Sequence, residues 1–350
     1  MSGFSVNRRQ MLGIMGGALA APAIIGKARA AEVTLRLHHM LPPVAPMHKA
    51  FFEPWAKTIR EQSDGRIDIQ IFPAMQLGGK PPQLADQVAN NVVDIAWTLT
   101  VYTPGRYPVS ETLSLPFMVT TAEATSVAMH KFMDEFGQDE YRGMKPLAFH
   151  VHAGGKFHMR DQPIQSQADL DGLQIRAPNQ SVGKALSILG AEPVFFPVTE
   201  MAVGLANGVI DGTCLPYEVV PAFKLHELTS VHCAPAEGGR GLYANSFGLL
   251  MAGDAYDRMP DDLKAVIDAN SGIELSRQIG KQFDSFESVG YKMCADRGNQ
   301  FVEIPKDEVQ RWQTATQPVI DDWIETLNDA GHDGKAMIDR LNQLIDAETA

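Results

Sequence analysis

Cysteine is scarce in this chain. Only Cys214, Cys233 and Cys294 occur among 350 residues, with no CxxC spacing, which excludes a disulfide scaffold. The odd number leaves at least one free thiol unless chains cross-link. Basic charge is in deficit, with 30 Lys and Arg against 42 Asp and Glu and a net charge of −12. Binding the phosphates of nucleic acid needs a basic face, so nucleic acid is not an expected partner. There is no GxSxG elbow, no P-loop and no GxGxxG after a strand. His226-Glu227 opens like HExxH, but position 230 is Ser230 and the next histidine is His232. The two imidazoles cannot share a helix face at that spacing, which rejects the zinc motif. Internal repeats and low-complexity tracts are also missing, and 45% hydrophobic with 8% aromatic residues suffices for a core.

What is present begins at the N-terminus. Arg8 and Arg9 precede an apolar, Gly- and Ala-rich stretch from Gly13 to Gly26, and Ala28-Arg29-Ala30 places small residues where a signal peptidase cuts. This is a three-part export signal, and the paired arginines point to the twin-arginine route. A membrane anchor would be longer and would not contain Pro22. No lipobox cysteine is present, so the mature chain is expected free in the periplasm. Removing 1–30 takes four basic residues and moves the charge from −12 to −16.

The mature chain alternates strand and helix patterns. Val33, Leu35 and Leu37 alternate as in a half-buried strand, followed by an amphipathic helix over 47–62 and a second strand at Ile67, Ile69 and Ile71. A helix over 83–90 and an extended stretch at 92–98 complete a β-α-β-α-β unit, the repeat of a parallel sheet covered by helices. A second unit starts near Pro146, with strands at 147–151, 172–176 and 210–215 and a helix over 181–189. Thr199 is read as the cap of a helix to Asn207. Residues 243–251 read as extended and 300–304 as a last strand. The pattern predicts one long helix from Pro260 to about Met293 and two helices at the end of the chain. These elements predict two α/β lobes crossed by several connections.

Arg176 is the most informative residue. It ends the short apolar strand Gly172-Leu173-Gln174-Ile175-Arg176, and Pro178-Asn179 break the chain before a helix. Carboxyl ends of strands face the ligand crevice in α/β sheets, and a guanidinium there grips a carboxylate through two parallel hydrogen bonds. An exposed ion pair is the plainer reading of an arbitrary arginine. His150 and His152 project to one side of a strand with His158 nearby, so a two- or three-histidine metal site is a rival reading. An exported α/β enzyme is a second rival.

Five segments in order carry a family resemblance: Ser63-Asp64-Gly65-Arg66-Ile67 through Phe72-Pro73-Ala74-Met75-Gln76-Leu77-Gly78-Gly79; Val93-Asp94-Ile95-Ala96; Tyr102-Thr103-Pro104-Gly105-Arg106-Tyr107-Pro108 leading to Leu115-Pro116-Phe117; Gly172 to Asn179; and Gly208-Val209-Ile210-Asp211-Gly212. Along nearly its whole mature length the chain resembles the solute-binding protein of a TRAP (tripartite ATP-independent periplasmic) transporter. The resemblance implies a two-lobed periplasmic binding protein fold, each lobe a helix-covered, mostly parallel sheet, with a long helix spanning both. It implies lobes at 31–152 plus 243–282 and 153–242 plus 283–330, with a C-terminal helix at 331–350. It also implies a small organic acid as cargo, membrane permease subunits as partners, and no cofactor. The family's clamp arginine falls on Arg176, and its second basic ligand, usually arginine, falls on Lys156. A Glu-Asn or Glu-Trp pair common after Asp-Gly is replaced by Thr213-Cys214-Leu215-Pro216-Tyr217-Glu218, which implies a different, partly aromatic surface for the rest of the solute. Asn179 at a helix start, His39 after the first strand, and Trp97, Tyr102 and Tyr217 after later strands complete the expected site. Arg106, among Pro and Gly, is assigned structural duty.

Overall fold

The computed structural model describes residues 31–236 and 240–350. The expected export signal at 1–30 lies outside them. Eleven strands are formed among the described residues: β1 (Val33–His39), β2 (Ile67–Phe72), β3 (Ile95–Leu99), β4 (Met144–Val151), β5 (Lys156–Met159), β6 (Gln174–Ala177), β7 (Glu192–Phe195), β8 (Gly212–Leu215), β9 (Val231–Pro235), β10 (Ser246–Ala252) and β11 (Gln300–Ile304). They make two sheets, ordered β2-β1-β3-β10-β4 and β11-β9-β5-β8-β6-β7. Each is parallel except for one strand, β10 in the first and β5 in the second. Each of those two strands directly follows a passage between the sheets, at 152–155 and at 240–245, and runs opposite to its neighbours.

Apolar alternation accounts for the sheets' covered faces. Leu35 and Leu37 of β1, Ile67 and Ile69 of β2, and Ile95 of β3 are buried in one cluster with Phe52, Trp55 and Ile59 from the helical segment over 48–62. In the second sheet Ile175 and Ala177 of β6 pack with Val182 and Leu186 of the Gln180–Ile188 helix and with Leu189, which ends it. Arg176, between them in sequence, therefore faces the other side.

Several expected elements differ in detail. The helical pattern from Pro260 is two helices, Asp261–Ala269 and Ile273–Arg297, because Gly272 adopts φ +83° at the junction. The chain ends in three helices, Lys306–Ala315, Gln317–Asp329 and Gly334–Thr349. Thr199 does not cap a helix: it lies inside a one-turn 3-10 segment at Val198–Glu200, and the Met201–Ala206 helix has no side-chain cap. The 15-residue helix Ala122–Phe136, which sequence reading passed over, packs along the Ile273–Arg297 helix.

That long helix joins the two halves. Its Asp284 carboxylate accepts from the Ala122 and Glu123 N–H groups at 2.8 and 2.9 Å, capping the Ala122–Phe136 helix. Three residues on, on the same side, Glu287 reaches Lys156 of β5 and the Glu218 N–H.

Candidate functional site

The second sheet carries a polar row across the face that Arg176 occupies. Register pairs Arg176 with Thr213, Thr213 with His158, and His158 with His232. Residues paired this way point to the same side, so four polar side chains line one face. His158 Nε2 donates to the Leu215 carbonyl at 3.0 Å, leaving its Nδ1 to accept from His232 Nδ1 at 2.7 Å. Burial pushes the His158 imidazole well down and His232 to about 4, so both are neutral.

Arg176 is 1% exposed. Its Nε donates to the Phe196 carbonyl at 3.1 Å, while both terminal guanidinium nitrogens are buried with no hydrogen-bond partner among the described residues. A buried cation with two parallel donors unused is an arrangement that an anion completes. Beside it, the Thr213 hydroxyl is likewise buried and unpartnered.

Two further expected residues converge here. Asn179 caps the Gln180–Ile188 helix, its Oδ1 accepting from the Val182 N–H at 2.9 Å, and its Nδ2 donates to Asn245 Oδ1 at 3.1 Å. Tyr102 extends from the first sheet's loop, and its hydroxyl accepts from the Val198 N–H at 3.0 Å, two residues past the carbonyl that holds Arg176. Lys156 begins β5 opposite Leu215, at the same end and face of the sheet as Arg176. Its ammonium, however, is engaged by Glu287 at 2.5 Å and the Gly154 carbonyl at 2.8 Å.

Of the other three, His39 and Trp97 are committed elsewhere, and Tyr217 packs against the polar row rather than beside Arg176. His39 Nδ1 accepts from the Leu41 N–H at 3.2 Å and its Nε2 donates to His48 Nδ1 at 2.9 Å; burial pushes it down to about 3. Trp97 donates its indole N–H to His150 Nε2 at 2.7 Å and stacks on Phe247. Tyr217 packs edge-on against His158 and Tyr291. Arg106 pairs with Asp86.

The histidine metal site does not form. His150 faces Trp97. His152 donates to the Ala153 carbonyl and accepts from the Asn245 N–H. His158 faces His232. No group of three His, Cys, Asp or Glu among the described residues is placed to hold a metal. Cys214 and Cys233 are free thiols that flank Phe157 from strands on either side of β5, two strand spacings apart and beyond disulfide reach.

Residues 37–326 match the bacterial extracellular solute-binding protein family 7 (DctP). The chain belongs to this family. Among solved structures, a TRAP solute-binding protein from a marine metagenome, specific for aromatic acid ligands and co-crystallized with 3-hydroxybenzoate, is 40% identical, with a TM-score of 0.89 over 92% of this chain and 100% of its own. A TRAP solute-binding protein from Rhodoferax ferrireducens, in complex with copurified benzoate, is 38% identical, with a TM-score of 0.89 over 91% of this chain and 98% of its own. The C4-dicarboxylate-binding periplasmic protein of Rhodobacter capsulatus is 24% identical over 332 residues, 91% of this chain and 95% of that protein.

Within this family 7 chain, sequence reading missed Asn245, weighed His152 only as a metal ligand, and took Thr213 only as the start of the segment that replaces the Glu-Asn or Glu-Trp pair. Asn245 joins Asn179 to His152, whose Nε2 accepts from the Asn245 N–H at 3.0 Å. Burial pushes His152 down to about 4, with Lys156 and Arg176 adding to the effect. Nothing local in the sequence marks Asn245. Thr213 was legible in principle, being one strand from Arg176 once register is known.

Proposed function

We propose that the mature chain is the periplasmic receptor of a TRAP transporter, capturing an aromatic carboxylate between its lobes and delivering it to membrane permease subunits without chemical change. The carrying observation is the buried Arg176 guanidinium with two unused donors. The aromatic class is supported by the solutes of the two relatives at 38 and 40% identity and by Tyr102, whose hydroxyl meets the segment that holds Arg176. In this reading Asn179 and Tyr102 join Arg176 as solute contacts, and residues 1–30 direct export. No helix among the described residues is long and apolar enough to cross a membrane.

Lobe closure excludes water, and the carboxylate–guanidinium bonds strengthen as the local dielectric falls. A chain at −16 repels anions at long range, so attraction is local and acts within a Debye length of about 8 Å. Micromolar capture corresponds to about −8 kcal/mol, within reach of one bidentate pair and the burial of an aromatic ring.

Calorimetry on the mature chain with benzoate, 3-hydroxybenzoate and succinate tests this. The aromatic acids bind and are recovered intact, and Arg176→Lys, which keeps the charge but loses the fork, weakens them at least tenfold, about 1.4 kcal/mol. Unchanged affinity in Arg176→Lys removes the clamp. Turnover of the bound acid makes the protein an enzyme instead.

A further inference from the structure

We propose that Glu287 limits the captured solute to a single negative charge by holding the site's second cation, Lys156, in an internal ion pair. This rests on the receptor reading above and adds a rule about which acids it accepts.

Two cations bear on the site. Lys156 and Arg176 both act on the buried His152 imidazole and on the buried Cys214 thiol, groups on two different strand ends. Register puts Lys156 and Arg176 on the same face, separated by β8, with Leu215 beside Lys156 and Thr213 beside Arg176. Their circumstances are opposite. Arg176 meets one carbonyl and no carboxylate. Lys156 meets Glu287 at 2.5 Å and the Gly154 carbonyl at 2.8 Å, and its ammonium stands 5.6 Å from the centre of the Tyr217 ring.

Glu287 is held in place for this. Its Oε1 accepts from the Glu218 N–H at 3.0 Å while Oε2 takes Lys156, and the pair's side chains are only 21% and 18% exposed. The neighbouring acid Asp284 is occupied with the Ala122 and Glu123 N–H groups and does not compete. The Lys156–Glu287 pair is therefore neutral, and the site keeps one positive charge, on Arg176. A monoanion neutralises that charge. A dianion would leave its second carboxylate buried without a counter-ion, or would have to displace Glu287 from Lys156 and strand that carboxylate instead. Either outcome leaves an uncompensated charge in a site largely shielded from water, which is strongly destabilising.

The test compares two acids of equal size and different charge, benzene-1,3-dicarboxylate and 3-carbamoylbenzoate, by calorimetry alongside benzoate. The wild-type mature chain is expected to bind the carbamoyl acid at least tenfold more tightly than the diacid. Glu287→Gln frees the Lys156 ammonium and narrows that ratio at least tenfold, and Lys156→Met/Glu287→Gln restores it, because no second cation remains. Equal wild-type affinity for the two acids overturns the proposal whether or not the variants fold. So does an unchanged ratio in a folded Glu287→Gln protein. Loss of benzoate binding by the wild type overturns the receptor reading itself, whereas benzoate binding with either of the preceding results overturns only the charge rule.

Discussion

A guanidinium buried as Arg176 is keeps its charge while losing most of its water, so its unused donors must find a partner or the site must open to solvent. Neighbouring residues divide between holding that charge in place and using up competing donors. Asn179 does two jobs that substitution separates: its oxygen caps a helix and its amide reaches Asn245. Asn179→Ala is expected to cost about 1 kcal/mol of stability. Asn179→Ser, which still caps, recovers most of that loss but cannot reach Asn245, so its benzoate affinity stays as weak as in the Ala variant. Urea unfolding and calorimetry on both variants check this, and an Asn179→Ser protein with wild-type affinity refutes the amide's role. Arg176 and Asn179 were legible because a strand end and a helix start can be read locally. Asn245 and His152 were not, because their meeting depends on two chain crossings 93 residues apart.

Among the elements, the Ile273–Arg297 helix carries the connection between the sheets, and its glycines permit the close approach. A side-chain carbon at Gly290 would collide with the Tyr217 carbonyl, and one at Gly280 with the backbone of Ala122 and Glu123. Gly290→Ala gains helix propensity but must push the helix off the β8 turn, for a net loss of about 1–3 kcal/mol. A urea midpoint unchanged from wild type would show that the contact yields freely. Apolar alternation alone marks β1 and β2, because each runs over six or more residues. The four-residue strands β5 and β7 carry too few alternations to stand out, and β5 is fixed by its partners on both sides rather than by its own pattern. The break at Gly272 was hidden because apolar spacing continues on both sides of it.

Over the whole molecule, buried titratable groups set opposing pH dependences. Burial pushes His39 and His150 down to about 3 and His152 and His232 to about 4. The unfolded chain takes up these protons below pH 6.5 and the folded chain does not, so stability falls as pH drops from there. Burial also pushes Glu111 and Glu218 up to about 8. The folded chain keeps two protons that the unfolded chain releases above about pH 4.5, so this contribution is lost as pH rises toward 8. Between these two trends the thermal midpoint is expected to pass through a maximum at near-neutral pH, above the range where the buried imidazoles charge and below that where the buried carboxyls ionise. A midpoint rising steadily from pH 5 to 8 would contradict it.

The clamp itself is best checked by a crystal structure of the mature chain grown with benzoate. The carboxylate is expected between the lobes, with its two oxygens about 2.7–2.9 Å from the terminal nitrogens of Arg176. Benzoate bound elsewhere, with those nitrogens turned to bulk water, would rule the clamp out.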